Sequence, residues 1–280
     1  MSTETLHHDR WSEDLPAQAL RALAVGRSLC ACDGHYHTLW GSLRASGASN
    51  SLKSEEPLLA SLIGPHVRDG ARVMIGGAAD SGVACAIGRI YAPLVPELTL
   101  VDRCGASLEL MRQFAARRDF VCRTLNLNLL ELDGGEQWDQ IVLHYTPDFL
   151  DPQRHGQLFQ SVAAALTPGG IVVCAAMTAT GVVGDREHDV GGVYYDYTLK
   201  KVMDGPMADV ASSPDFLTML RAYSTRWGQR RGNLPSQDQL THSMRAAGLA
   251  ILSVNDTPRK HRVIGGATLV DACTIIIAGK

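Results

Sequence analysis

Two short stretches of the chain have residue types and spacing suited to chemistry. Arg72-Val73-Met74-Ile75-Gly76-Gly77-Ala78-Ala79-Asp80-Ser81-Gly82 runs from an apolar strand into a turn of small residues, and Leu98-Thr99-Leu100-Val101-Asp102 ends a second apolar strand on an acid. Small residues at such a turn let the backbone lie close against a ligand, and a strand-end carboxylate can accept from the two hydroxyls of a ribose. Asp102 lies twenty residues beyond Gly82, the interval for one helix and a return strand. The pair predicts a ligand that contains a nucleoside.

Further along, residues 138–144 read as a buried strand opened by Trp138-Asp139, and residues 151–166 read as a helix. Leu166-Thr167-Pro168-Gly169-Gly170 then turns into a strand at residues 171–175. In this ordered combination the chain, over about residues 67–280, resembles the class I S-adenosylmethionine-dependent methyltransferases, which show an aromatic-Asp pair opening strand four and Leu-x-Pro-Gly-Gly before strand five.

The resemblance implies S-adenosyl-L-methionine as cofactor. It places Gly76, Gly77 and Ala78 at the methionine or ribose part, Asp102 with its neighbour Arg103 at the ribose, Asn128 at the adenine amino group and Leu129 on the ring face. His144 and Tyr145, after strand four, face the sulfur and the incoming nucleophile. The chain departs from the family pattern where Met74 replaces the acid before the turn, where Ala78 and Asp80 replace glycines, and where Asn126 or Asn128 replaces an Asp at strand three. Asp80 either touches the methionine amino group or caps the following helix.

Other side chains are candidates for the reaction itself. His144 could remove a proton from an acceptor, since imidazole titrates near neutrality, or it could orient the cofactor. Tyr36 and Trp40 could face the substrate or the sulfonium, with packing anchors as the alternative, and His35 and His37 are weaker proton-transfer candidates. Arg221, Arg226, Arg230 and Arg231 surround Trp227 and could hold a carboxylate or phosphate, or line a solvated helix face. Tyr194, Tyr195 and Tyr197 beside Asp185, Glu187, His188, Asp189 and Asp196 read as loop residues, because glycines stand at 181, 184, 191, 192 and 205; loop aromatics with acids suit a small cationic or amine substrate. Cys30-Ala-Cys32-Asp-Gly-His35-Tyr-His37 gathers zinc-ligating types, but two ligands one residue apart tend to point apart in a regular element. It reads as a loop between helices, and no metal is expected.

These residues need a frame to hold them. Helical patterns cover residues 15–29, the stripe Tyr36, Leu39, Trp40 and Leu43, and residues 55–63, giving an N-terminal helical lobe over residues 1–66, which the resemblance makes a lid over the cofactor cleft. Beyond it, strands and helices alternate, with a helix at 106–118 and a third strand at 120–128; this implies an α/β fold, a Rossmann-like doubly wound parallel sheet covered on both faces. The resemblance makes that sheet seven-stranded. The resemblance also makes residues 67–280 the S-adenosylmethionine-binding catalytic domain, with an insertion at about 178–235 that would build the substrate pocket. Ser236 to Gln239 is a capping pattern for a last helix that Gly248 ends, and residues 249–254 and 272–278 read as the last two strands, which the resemblance pairs as a hairpin closing the sheet with one antiparallel strand.

Composition narrows the function class. A 280-residue chain with 45% hydrophobic residues can bury a large core, and no stretch approaches a membrane span. A net charge of -3 gives no general attraction to nucleic acid. Seven scattered cysteines without a leader segment suggest a reduced, cytoplasmic setting. The expected activity is methyl transfer to a small molecule. The alternative is an S-adenosylmethionine cyclase that forms azetidine-2-carboxylate and methylthioadenosine, and a third reading is a nucleoside-binding partner protein without turnover. Composition and patterning leave the oligomeric state open.

Overall fold

The computed structural model describes residues 10–49, 51–178, 190–231, 233–257, 260–264 and 267–280. Among the described residues the leading helices with full bounds are α1 (Leu15–Leu29), α2 (Tyr36–Ala45) and α3 (Ser51–Ile63). The alternating region follows as β1 (Arg72–Gly76), α4 (Gly82–Tyr91), β2 (Glu97–Asp102), α5 (Gly105–Arg118), β3 (Cys122–Asn126), β4 (Trp138–His144), α6 (His155–Ala165) and β5 (Leu166–Met177). Then come α7 (Val190–Met203), α8 (Ala208–Ala211), α9 (Pro214–Arg231), α10 (Gln237–Ala246), β6 (Ala250–Asp256), a small hairpin β7 (Lys260–Ile264) with β8 (Ala267–Asp271), and β9 (Cys273–Gly279).

Seven strands form one sheet in the order β3-β2-β1-β4-β5-β9-β6. The pairs from β3 to β5 are parallel, and β9 is antiparallel to both β5 and β6. Strand order reverses between β1 and β4, so a cleft opens at the C-terminal ends of those strands. The last two sheet strands are antiparallel neighbours as expected, but the β7-β8 hairpin stands between them in the chain.

Successive residues of a strand face opposite sides, which sorts the core into two layers. Val73 and Ile75 pack with Leu59 and Ile63 of α3, Ile87 of α4 and Met111 of α5. Met74 points the other way, among Phe159 of α6, Met244 of α10 and Ile276 of β9. The residue that stands where the family carries an acid is thus a fully buried core side chain. A third apolar cluster lies outside the sheet and joins Leu39 and Leu43 of α2 to Tyr194 of α7 and to Phe216, Leu220 and Trp227 of α9.

Several sequence expectations need correction. The tyrosine segment is helical: α7 buries Gly191, Tyr194, Thr198 and Val202, spaced three, four and four, which is one helical stripe that the flanking glycines concealed. Asp185, Glu187, His188 and Asp189 lie outside the described residues. The helix expected from residue 151 begins at His155, after a single 3-10 turn. The Thr167 to Gly170 turn is absorbed into β5 as a register shift, with Trp138 opposite Leu166 and Gln140 opposite Ile171. Among the expectations that match, Ser236 and Gln239 form a reciprocal capping box, and Gly248 follows α10 at φ 83°.

Candidate active site

The turn after β1 is shaped by its neighbours within the protein. Gly77 has φ 72°, a conformation that costs a side-chain-bearing residue, and a Cβ there would stand 2.9 Å from Thr146 Cγ2. At Gly76 a Cβ would meet Leu143 at 2.7 Å. Thr146 reaches across from the end of β4 and donates its hydroxyl to the Gly76 carbonyl at 2.5 Å. Close approach at this turn is therefore partly between the turn and Leu143 and Thr146.

Asp102 closes β2 and is 8% exposed. One carboxylate oxygen accepts from Cys104 N at 2.7 Å and the other from Ala78 N at 3.2 Å, so the acid joins the ends of β1 and β2. That second oxygen also lies 3.8 Å from His37 Nε2 on α2. Burial alone would discharge the His37 imidazole; hydrogen bonding with Asp102, Cys104 and Cys30 more than offsets it and raises its pKa. Arg103 beside it is exposed at the mouth of the cleft.

Asp80 has both oxygens engaged. One accepts from Gly82 N at 2.9 Å in a local turn at the start of α4, and the other pairs with Arg44 at 2.6 Å. Arg44, on α2, also grips Glu13 through both terminal nitrogens, at 3.0 and 2.7 Å. Burial opposes the guanidinium charge, but the two carboxylates outweigh it and raise the pKa. A buried acid-cation-acid bridge thus fastens the helical lobe to the first turn.

The end of β4 presents a constellation that local patterns did not reveal. Glu55 of α3 is 2% exposed; one oxygen lies 3.1 Å from His144 Nε2 and the other accepts from the Tyr145 hydroxyl at 2.5 Å. Burial, then the neighbouring Cys273 and Glu55, push the Tyr145 pKa well up. Tyr145 has φ 60°, unusual for a bulky residue, and its N–H donates to Ala175 O at 2.7 Å. Separated by 89 and 90 residues from His144 and Tyr145, Glu55 shows in the sequence only as a helix residue. A carboxylate on one imidazole nitrogen fixes which nitrogen holds the proton, the arrangement that orients a base.

The other expected residues divide in two. Leu129 is buried at the cleft wall. Asn128 also lines the cleft, but its side-chain oxygen accepts from Leu130 N and its amide donates to Glu131, both at 3.2 Å, so it builds its own turn. Tyr36 belongs to an aromatic group with Phe149 at 4.5 Å, Trp40 at 5.2 Å and Tyr223 at 6.0 Å between ring centres. Burial, and after it Asp80, keep its hydroxyl well above its ordinary pKa.

All of these surround one cleft of 1790 Å³. Gly77, Ala78, Asp102 and Leu129 form its floor, Tyr36, Trp40 and Glu55 one wall, and Tyr223, Arg226, Trp227 and Arg230 of α9 another. Arg230 stacks over Phe149 at 4.1 Å, and burial lowers its pKa. Asp148 also lines the cleft, its carboxylate accepting from Met177 N at 3.1 and 3.2 Å, and burial raises its pKa well above the ordinary value.

A second group of side chains meets beside this floor. The ligand atoms of Cys30, Cys32, His37 and Cys104 all lie within 4.8 Å of one another. The Cys-Ala-Cys segment is extended, with Cys30 at φ -86°, ψ 110° and Cys32 at φ -79°, ψ 141°. In extended backbone residues i and i+2 share a side, so the expectation that the two thiols point apart does not hold here. Hydrogen bonds with Cys104 and Cys32 hold the Cys30 thiol well below its ordinary pKa.

No protein-family model matches the chain, and no curated protein does. Solved structures do match in fold. The [4+2]-cyclase SpnF superposes with a TM-score of 0.53 at 13% identity, over 95% of this chain and 93% of that one. A protein from Nostoc punctiforme named as a suggested O-methyltransferase gives 0.50 at 14% identity, over 98% of this chain and 71% of its own. TehB from Haemophilus influenzae gives 0.51 at 11%, over 83% and 64%. Among the described residues no helix is long and apolar enough to cross a membrane. With its seven-stranded order, its single antiparallel strand and these neighbours, the chain has the fold of the class I S-adenosylmethionine-dependent methyltransferases.

Proposed function

We propose that the protein is an S-adenosyl-L-methionine-dependent transferase that methylates a small molecule. One observation carries this reading: the cleft over the strand ends has the Gly77 turn, Asp102 and Leu129 on its floor and a separate aromatic and cationic wall on α9. Its volume of 1790 Å³ exceeds the roughly 300–1,000 Å³ of a single drug-sized pocket, which leaves room for a nucleoside cofactor and an acceptor together.

The residues suit the cofactor, which when bound supplies an electrophilic carbon on a sulfonium. Asp102 would accept from the ribose hydroxyls and Leu129 would cover the adenine, beside the left-handed turn at Gly77. Tyr36 and the aromatics beside it would exclude water and offer ring faces to a cation. His144, held by Glu55, would take the proton that a hydroxyl or amine acceptor loses as its bond to carbon forms. Arg226 and Arg230 with Tyr223 and Trp227 favour an acceptor that carries an anionic group on a flat apolar body.

A second reading is favoured by the first turn. Met74 is core, and Asp80 is committed to Arg44 and Gly82, so neither leaves a spare carboxylate for the methionine ammonium. A neutral amine could then attack its own side-chain carbon, forming a C–N bond, breaking the C–S bond, releasing methylthioadenosine and giving up a proton. Incubation of the protein with S-adenosyl-L-methionine, alone and with acceptors of the stated class, separates the readings by their nucleoside products. S-adenosylhomocysteine formed only with an acceptor supports methyl transfer. Methylthioadenosine formed without one supports cyclisation, and tight binding with neither product leaves a binding protein.

A further inference from the structure

We propose that Cys30, Cys32, His37 and Cys104 bind one zinc ion that fastens the N-terminal helical lobe to the end of β2. Three thiols and an imidazole are the donor set of a structural zinc site, and four ligands close the coordination sphere without leaving a place for water. The distances suit a single ion. Zn–S bonds of about 2.3 Å and a Zn–N bond of about 2.0 Å in a tetrahedron set ligand atoms roughly 3.5–3.8 Å apart; here all four lie within 4.8 Å, and Cys30 Sγ is 3.8 Å from His37 Nδ1. An iron–sulfur cluster would instead spread its cysteine sulfurs over separate irons.

The backbone around the ligands is shaped to bring them together. Cys30 and Cys32 share a side of an extended segment, and left-handed Gly34 (φ 71°) and His35 (φ 54°) then turn the chain so that His37 enters on the first turn of α2. Cys104 comes from the other side of the cleft floor, two residues after Asp102. His37 presents Nδ1 to the sulfurs while its Nε2 faces Asp102 Oδ2 at 3.8 Å, and the other oxygen of Asp102 accepts from Cys104 N at 2.7 Å. A carboxylate behind a ligating histidine is the usual outer support of a zinc site. Binding releases the thiol protons to solvent as the sulfurs coordinate as thiolates.

The site would therefore share Asp102 with the cleft, and the metal would set where α2 and Tyr36 sit over the floor. The test does not depend on turnover. The full chain, purified under reducing conditions without chelator, is expected to carry about one zinc per molecule by elemental analysis. After chelation, titration with cobalt(II) chloride should give thiolate charge-transfer and intense tetrahedral bands that saturate at one equivalent and vanish when zinc is added. Cys104→Ser should weaken those bands, Cys122→Ser, a thiol of β3 outside the cluster, should leave them unchanged, and Asp102→Asn should lower cobalt affinity about 10–100-fold while keeping the thiolate spectrum. If Cys104→Ser fails to fold, the wild-type cobalt spectrum and its displacement by zinc still decide the matter. Negligible zinc together with an octahedral cobalt spectrum, or a mass showing Cys30 in a disulfide with Cys32 or Cys104 in the reduced preparation, overturns the proposal.

Discussion

The floor and the roof of the cleft are built by different means. The floor is made of strand ends whose polar groups meet backbone nearby: Asp102 holds Ala78 N and Cys104 N, and Asn128 holds Leu130 N. The roof is held by side chains that meet across long stretches of chain, Arg44 with Glu13 and Asp80, and Glu55 with His144 and Tyr145. A floor of this kind follows from the sheet, whereas the roof depends on a few buried charges. Chemistry that needs a dry site thus rests on the more fragile part of the fold.

The comparison breaks most clearly at Arg44, whose side chain is 12% exposed. Arg44→Ala leaves two buried carboxylates without their cation and is expected to destabilise the protein by about 3–5 kcal/mol, read from denaturant unfolding. Arg44→Met combined with Glu13→Gln and Asp80→Asn should recover much of that loss, since the charges go together. A loss under about 1 kcal/mol in Arg44→Ala would mean that the roof stands on its apolar contacts alone. The next largest effect is at Glu55. If it orients His144 as a base, Glu55→Gln should lower turnover about 100-fold with little change in KM, roughly 2.7 kcal/mol in the barrier, and change the pH profile. Unchanged turnover would leave His144 a structural residue.

The same contrast decides what the sequence could reveal. The β1 turn, the Asp102 strand end and the capping box at Ser236 are contiguous patterns, and each lies where the sequence places it, while Pro168-Gly169-Gly170 becomes an irregularity within β5. Glu55, Arg44 and Cys104 carry no local signal: each acts only through partners brought to it by folding, 89, 36 and about 70 residues away. Tyr194 was misplaced for another reason. Glycines at 191 and 192 signal a loop locally, but the buried stripe that includes Tyr194 and Val202, which share an apolar cluster with α9, prevails over that signal.

The floor has its own point of failure at Gly77. A side chain there must adopt φ near 72° and press on Thr146, so Gly77→Ala is expected to cost about 1–2 kcal/mol. Because the added carbon points at Thr146, cofactor affinity should fall through a shifted turn. Gly77→Ala with Thr146→Ser, which removes the methyl group 2.9 Å away, should recover part of both losses. If affinity falls while stability does not, the glycine instead leaves space for the ligand.

The smallest effect expected is also the one that tests how dry the cleft is. Asp148 stands between floor and roof, where burial raises its pKa and Met177 N, Arg230 and, in the opposite sense, Glu55 act on it. Between its unfolded pKa and its raised folded pKa the native state holds a proton that the unfolded chain has lost, so this residue contributes stability at low pH and loses it as pH rises through the folded value. Asp148→Asn keeps an oxygen for Met177 N and removes that titration. Its thermal midpoint relative to wild type should therefore climb as pH increases from about 4 towards 8, with each pair measured in the same buffer so that other carboxylates cancel. A difference that stays flat over that range would mean that burial does not hold the proton on Asp148, because water reaches it or Arg230 outweighs burial, and that the residue is held as a carboxylate where the acceptor would lie.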